Sequence, residues 1–351
     1  MSGGVDSSVA AGLLVEEGHE VIGVSMQLYD ASGGNATFGS CCSLDDLHDA
    51  RRVAAALDIP HYILNLERQF DEHVVSNFVR EYASGRTPLP CARCNTELKF
   101  STLVERARGF GADAVATGHY ARVERDASDG RYLLRRGVDP AKDQAYFLFG
   151  LTQDQLAHAV FPVGDRPKDV VRAWARQRDL PVADKPDSQE ICFVPDHDYA
   201  AFVAGQSSEG AAATAGSIVD EAGRVLGHHR GVHHFTVGQR KGLGLSGRQD
   251  GPLYVLALQP DARRVLVGPK AALERTTLTA SGVNWVIPEP HGSRRVTAQI
   301  RHRHRAAAAT VRPLGDRRAE LIFDAPQVAV TPGQAVVFYD GDVVLGGGWI
   351  D

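Results

Sequence analysis

Residues 2–8, Ser2-Gly3-Gly4-Val5-Asp6-Ser7-Ser8, stand directly before an apolar helical run, and they restrict the fold more than any other segment. Two glycines let successive backbone N–H groups turn toward one anion, hydroxyls add donors, and the helix N-terminus supplies partial positive charge. Pyrophosphate suits such a loop. Asp6 is better placed to hold a magnesium ion against phosphates than to touch them. A helix N-cap in a glycine turn is the bland alternative, yet a cap does not need two hydroxyls, two glycines and an acid together. No GK[ST] occurs in the chain, so the loop is not a Walker A motif.

A phosphate loop of this kind follows a buried central strand. Losing about five buried Val, Ile or Leu residues, at roughly 1.5 to 3 kcal/mol each, would cost about the whole stability of a typical domain. The expectation is therefore that the true start lies upstream and Met1 is internal.

From residue 5 to about 120 the pattern alternates. A helix through VAAGLLVEEG closes at Gly18, then come a strand EVIGVSMQL, a helix from near Ser43, a strand HYILNL, two further helices and a strand ADAVATG. Alternation of this sort predicts an α/β fold, a parallel sheet with helices on its faces. Residues 29–40 read as a glycine-rich mobile loop, and DASDGRY as a polar hairpin. The segment 152–203 returns to helix, with DVVRAWARQRDL carrying apolar residues at helical spacing. After the small-residue linker 207–216, short alternating runs such as GPLYVLAL, RRVLVG, TAQIR, QAVVFY and DVVLGGGW take over. The division predicted is a Rossmann-like domain over 1–206, a small β-rich domain over 207–272 and a β-barrel-like domain over 273–351.

Thiols are the next chemical signal. Five cysteines, with one CxxC and one adjacent pair, do not resemble a disulfide framework. Cys91 and Cys94 lie in RTPLPCARCN before the helix NTELKF. Cys94 is thus expected beside an N-cap at Asn95, where the helix dipole and Arg93 favour a thiolate. Cys192 lies far off in SQEICFVPDHDYAAF, and alone it reads equally well as a buried small hydrophobe. A zinc half-site completed by Cys41 and Cys42 is weak, because adjacent cysteines chelate a tetrahedral ion poorly. His228, His229, His233 and His234 lack an interleaved acid, which argues against a metal cluster. Gly242 to Gly247 fits GxGxxG but has neither the preceding strand nor the following helix of a dinucleotide turn.

The net charge of −5 argues against a globally basic nucleic-acid binder but leaves room for a local basic face. Arg294, Arg295, Arg301, Arg303 and Arg305 read as cations alternating along one strand, or as a charged edge that deters aggregation. No stretch approaches 18 uninterrupted apolar residues and the first residues lack a signal-peptide pattern, so a cytoplasmic protein without a membrane partner is expected.

The loop SGGVDSS resembles the signature of the PP-loop ATP pyrophosphatases, which cleave ATP between its α and β phosphates and adenylate an acceptor. The wider order SGGVDSS, RTPLPCARCNTELKF, TGHYAR, KDQAYFLFGL, SQEICFV, GVHHFTVGQRKGLG and VVLGGG resembles the bacterial tRNA-specific 2-thiouridylases, the MnmA family, over essentially the whole chain. The resemblance implies an adenine nucleotide alpha hydrolase-like domain and ATP-dependent 2-thiolation of a wobble uridine in tRNA. Cys94 is then the nucleophile and Cys192 the persulfide carrier, the two passing through a transient disulfide. ATP contacts are implied for Met1, Ser2, Gly3, Gly4, Val5, Asp6, Ser7, Met26 and Gly118, with Mg2+ as the accompanying ion. Contacts to tRNA are implied for Leu89, Pro90, Cys91, His119, Lys142, Asp143, Gln144, Arg301, His302 and Gln334. A sulfur-carrier or cysteine desulfurase protein is the implied donor, and an iron-sulfur cluster on Cys91, Cys94 and Cys192 is the competing use of these thiols. The chain departs from its relatives at Leu89, where Asn is usual beside the target base, at Cys91, where some carry an acid, and at His302, where Tyr is common. Two rivals follow from the residues: a PP-loop ligase using nitrogen instead of sulfur, and a non-catalytic RNA-binding protein on a dead nucleotide fold.

Overall fold

The computed structural model describes residues 1–29, 44–187, 191–194, 198–206, 214–245 and 251–351. Most of the glycine-rich insertion, Cys41, Cys42, the 207–213 linker and the end of the GxGxxG match lie outside the described residues. The chain forms two compact units. The first comprises 1–74, 91–197 and 342–345, and the second 75–90, 198–341 and 346–351.

The first unit begins with α1 (Val5–Glu16), which is apolar around most of its circumference and buries Val5, Val9, Ala10 and Leu13. Such a helix belongs inside a protein rather than on its surface. Next come β1 (Gly23–Gln27), α2 (Leu44–Ala56), β2 (His61–Asn65) and α3 (Glu67–Phe70). β1 and β2 pair in parallel, Gly23 opposite His61 through Gln27 opposite Asn65. α4 (Ser76–Ala83) belongs to the second unit. The first unit resumes with α5 (Pro90–Arg93), which continues through a π-helical stretch Cys94–Thr102 into α6 (Leu103–Gly109). There follow β3 (Val115–Ala116), the hairpin β4 (Ala121–Arg125) and β5 (Tyr132–Arg136), α7 (Gln153–Ala157), β6 (Ala159–Val160) and α8 (Lys168–Gln177). β3 pairs in parallel with β6, so the expected parallel pairing is present as two short ribbons.

One apolar cluster fixes the phosphate loop. Val5, Val9, Ala10 and Leu13 of α1 pack with Tyr120, Val163, Val171, Ala175 and Leu180, and Leu57 and Trp174 lie against them. α8 presents Val171 and Ala175 to this core because their spacing of four residues puts them on one helical face.

In the second unit, α4 packs with α9 (Tyr199–Gln206) through Phe78 against Phe202 and Tyr82 stacked on Tyr199 at 4.8 Å. A four-stranded sheet is ordered β8 (Val225–His229), β7 (Gly216–Val219), β10 (Arg264–Gly268), β9 (Tyr254–Gln259). Its core is Ile218, Val232, Phe235, Leu243, Val255, Val265 and Val267. The barrel is built from β11 (Glu274–Trp285), β12 (Arg294–Gln299), β13 (Ala307–Gly315), β14 (Arg318–Val328), β15 (Ala335–Asp340) and β16 (Val343–Ile350). Strand order β11-β14-β13-β12-β15-β16 closes through β11 to β16, and the start of β16, in the first unit, also pairs with β5 of the β4–β5 hairpin.

Candidate active site and RNA-contact residues

The phosphate loop is shaped by close backbone approaches. Gly3 has φ +69°, and a Cβ there would lie 2.3 Å from the carbonyl oxygen of Asp46. Gly4 precedes α1 with extended backbone and no side-chain cap, which leaves first-turn N–H groups for an anion. Ser2 N donates to Ser7 Oγ at 3.1 Å, and Ser8 Oγ donates to Gly4 O at 2.9 Å. Gly118, just past β3, abuts the same turn: a Cβ there would sit 2.6 Å from Asp6 C and Ser7 N. Met1 N donates to Val24 O, and Ser25 Oγ donates to Met1 O at 2.6 Å, so the loop is tied to β1 next to half-buried Met26. The sequence-predicted nucleotide residues therefore meet around one turn.

Three partners of that turn escape sequence reading. Lys168 Nζ reaches both carboxylate oxygens of Asp6 at 2.7 and 2.8 Å, and Tyr120 Oη donates to Asp6 Oδ1 at 2.8 Å. Lys168 also pairs with Asp187 at 2.8 Å, and Asp187 takes Lys142 and Arg172, each at 2.7 Å. Burial opposes ionisation of Asp187, but hydrogen bonds from Lys142 and Lys168 outweigh it and hold its carboxyl at about 2. Burial, followed by the Asp6 charge, pushes the Tyr120 phenol well up, so it remains a donor. The signal for Lys168 was present: it opens the first turn of α8, where the helix dipole disfavours a cation, so another group must stabilise its charge.

The segment 184–187 leads toward Cys192 and is anchored twice. Lys185 binds Asp46 and Asp49 at 2.6 and 2.7 Å, and Asp187 joins Lys168. Asp187 precedes Cys192 by five positions. Past Cys192, Phe193 packs edge-on against Phe70 of α3 with ring centroids 5.4 Å apart, and α3 packs against the Cys94 stretch. Phe193, next to Cys192, and the helical stretch that begins at Cys94 thus both meet α3; Cys94 is buried and Cys192 half-buried, while Cys91 is exposed.

The helix around Cys94 corrects one expectation. Pro90 opens the helical run, its fixed φ suited to a first turn, so Asn95 lies inside the run and is not its N-cap. Asn95 is buried and donates from Nδ2 to Phe147 O at 3.1 Å. Dipole assistance to Cys94 is weakened accordingly, because it fades within a turn. The wider π-helical bonding from Cys94 onward is itself a feature found often at functional sites.

His119 accepts or donates through Nδ1 to Thr117 Oγ1 at 2.8 Å and packs between Phe100 and Phe161. Burial, then the Lys99 charge, pushes its pKa well below the ordinary imidazole value, so the ring is neutral. Lys142 is paired with Asp187, Asp143 accepts from Arg136 at 2.6 Å, and Gln144 Oε1 accepts Tyr120 N at 2.9 Å. This tripeptide therefore braces Tyr120 beside the phosphate loop.

In the second unit, Gln334 Nε2 donates to Thr87 O at 3.1 Å and to Pro88 O at 3.4 Å, fixing the irregular segment that runs into Leu89 and Pro90. Buried Gln299 donates to the carbonyls of Arg301 and His302 at 3.2 and 2.8 Å, pinning the turn that presents them. The basic run is not one alternating strand: Arg294 and Arg295 lie on β12, while Arg301 to Arg305 follow its end. Arg295 is held by Asp324 at 2.6 Å and Arg294 by Asp340 at 3.1 Å, so these two cations are already neutralised.

No three His, Cys, Asp or Glu side chains are grouped to hold a metal ion among the described residues. Asp6 fits a magnesium ion bound through one carboxylate and substrate phosphates, provided Lys168 exchanges partners. Among the described residues no helix is long and apolar enough to cross a membrane.

Family models match in three blocks: a tRNA methyl transferase HUP domain over 1–196, a tRNA methyl transferase PRC-barrel domain over 208–269 and an aminomethyltransferase beta-barrel domain over 275–350. The tRNA-specific 2-thiouridylase MnmA of Geotalea uraniireducens (strain Rf4) is 55% identical over 100% of this chain and 93% of its own length. Those of Geobacter metallireducens and Solibacter usitatus are 54% and 53% identical, again over all of this chain and over 95% and 98% of their lengths. With family models matched along its length and full-length identity at this level, the chain belongs to the tRNA-specific 2-thiouridylase MnmA family.

Proposed function

We propose that this protein uses ATP to replace the 2-oxygen of the wobble uridine of tRNA by sulfur, releasing AMP and pyrophosphate. The observation that carries this reading is the ionic chain Asp6–Lys168–Asp187, which connects the phosphate loop to the segment bearing Cys192. A ligase using nitrogen needs no pair of thiols, and a dead nucleotide fold needs no acid and lysine at its phosphate turn.

The uridine 2-oxygen attacks the α-phosphorus of ATP, the bond to the β-phosphate oxygen breaks, and pyrophosphate leaves. N–H groups of the α1 first turn, with the Ser2 and Ser7 hydroxyls, hold the departing phosphates. Mg2+ supplies charge neutralisation there when bound, with Asp6 as its protein ligand. Lys168 moves from Asp6 to the phosphates in the same exchange, and Asp187 retains the other end of the network. Cys192 carries the incoming sulfur as a persulfide received from a donor protein. The thiolate of Cys94 attacks the Cys192 sulfur, forming a disulfide and expelling the terminal sulfur as hydrosulfide. Hydrosulfide adds to the adenylated carbon, the carbon–oxygen bond breaks, and AMP leaves; direct delivery from the persulfide gives the same products and the same disulfide. A thiol reductant then restores both cysteines. Neutral His119, the Lys142–Gln144 segment, Leu89, Pro90 and Cys91, and Arg301, His302 and Gln334 contact the RNA.

The test is mass analysis of nucleosides from tRNA incubated with protein, ATP, magnesium and a persulfide donor. The expected result is 2-thiouridine with the wild type and none with Cys94→Ser or Cys192→Ser. Full activity in either variant overturns the reading.

A further inference from the structure

A cavity of about 470 Å³ opens wholly within the second unit, and its volume falls in the range of small-molecule pockets. Lys270 and Arg301 line it, and neither forms an ion pair with a carboxylate among the described residues. Arg301 spends one donor on Val328 O at 3.1 Å, which fixes the guanidinium and leaves its other N–H groups for a ligand. Tyr254 contributes a half-buried ring, and Leu273 and Val328 an apolar wall. An apolar and aromatic surface bordered by two unneutralised cations matches a nucleotide, base on one side and phosphate on the other. Thr87 also lines the cavity, and Leu89 follows it by two positions.

We propose that this cavity is a subsite for the RNA nucleotide adjacent to the target uridine, with Lys270 and Arg301 on its phosphate and Tyr254 stacked on its base. The inference rests on the thiolation reading, which places the target base at Leu89 and Pro90. It adds Lys270 and Tyr254 to the RNA contacts and makes selection of the target depend on capture of its neighbour. RNA is the occupant favoured because Gln334, whose amide holds the Thr87–Pro88 carbonyls, lines the same cavity. A neighbour bound there is held one nucleotide from the segment that receives the target.

Anticodon stem-loops carrying an abasic nucleotide immediately 5′ or 3′ of the target uridine test this, with binding and thiolation followed for wild type, Tyr254→Ala, Tyr254→Phe and Lys270→Ala. One abasic RNA is expected to bind wild type about tenfold more weakly than intact RNA. The same RNA should lose nothing further in Tyr254→Ala, and Tyr254→Phe should restore the difference. Lys270→Ala should lower the slope of log affinity against log salt by about 0.7, which a purely structural role would not do. Abasic RNAs that both bind wild type like intact RNA, losses that multiply with Tyr254→Ala, an unchanged salt slope, or free UMP competing as well as RNA would each overturn the subsite. Absence of 2-thiouridine in the wild-type reactions overturns the underlying reading instead, whereas thiolation whose KM ignores these changes removes only the subsite.

Discussion

Lys168 touches two carboxylates that sit at opposite ends of the proposed chemistry, Asp6 at the phosphates and Asp187 ahead of Cys192. Lys168→Met leaves both without that cation, and removing one partner of a largely buried pair costs about 3 kcal/mol. The expected outcome is a roughly hundredfold fall in thiolation rate with part of the activity regained in Lys168→Arg, measured by single-turnover kinetics. Asp187 gives a pH signature. Its folded pKa is depressed to about 2, so its stabilisation is fully present above the unfolded value near 4 and is lost as pH falls through 2. Urea midpoints of wild type and Asp187→Asn should differ at pH 5 and converge toward pH 2; a constant gap would contradict the ion network. His119 carries the reverse expectation. Because burial keeps it neutral, the ratio of RNA affinities of wild type and His119→Gln should stay flat from pH 6 to 8 in a binding titration. The phosphate-turn residues were legible in sequence because glycines, hydroxyls and an acid are needed in order. Lys168, Tyr120 and Asp187 were not assigned to the site from sequence, since what identifies them is partners on other elements: Asp6 lies 162 and 114 positions from Lys168 and Tyr120.

α8 was legible as an element because DVVRAWARQRDL repeats at helical spacing and its apolar face meets α1. The π-helical stretch from Cys94 was not, because side-chain pattern does not distinguish its bonding from that of an α-helix. The cap expected at Asn95 was misplaced because the helix was read from NTELKF alone, whereas Pro90, suited to a first helical position, opens the run. Two substitutions examine how elements carry the site. Gly118→Ala places a methyl against the backbone of Asp6 and Ser7, so ATP affinity should fall well before stability does, measured by equilibrium binding. Phe70→Ala removes a fully buried ring between α3 and Phe193 and should cost about 3 to 5 kcal/mol in chemical denaturation.

Across the whole molecule, the change from helical to alternating periodicity after the linker matches a stretch in which every described element other than short 3-10 turns is a strand, and those from β11 to β16 close into a barrel. Association of 75–90 with the second unit carried no local signal, since Tyr82 finds Tyr199 and Thr87 N finds Pro332 O at 2.8 Å far along the chain. The proposed Cys94–Cys192 partnership likewise has no local signal, since Phe193 meets Phe70 of α3 and the 184–187 segment is anchored by Asp46, Asp49 and Lys168 on other elements. That partnership is the central claim, and peptide mapping by mass spectrometry under non-reducing conditions tests it most directly. After one turnover with ATP, tRNA and persulfide-loaded protein without reductant, the expected product is a Cys94–Cys192 linked peptide in equal amount to 2-thiouridine. Formation of 2-thiouridine while both cysteines remain fully alkylatable would contradict the account.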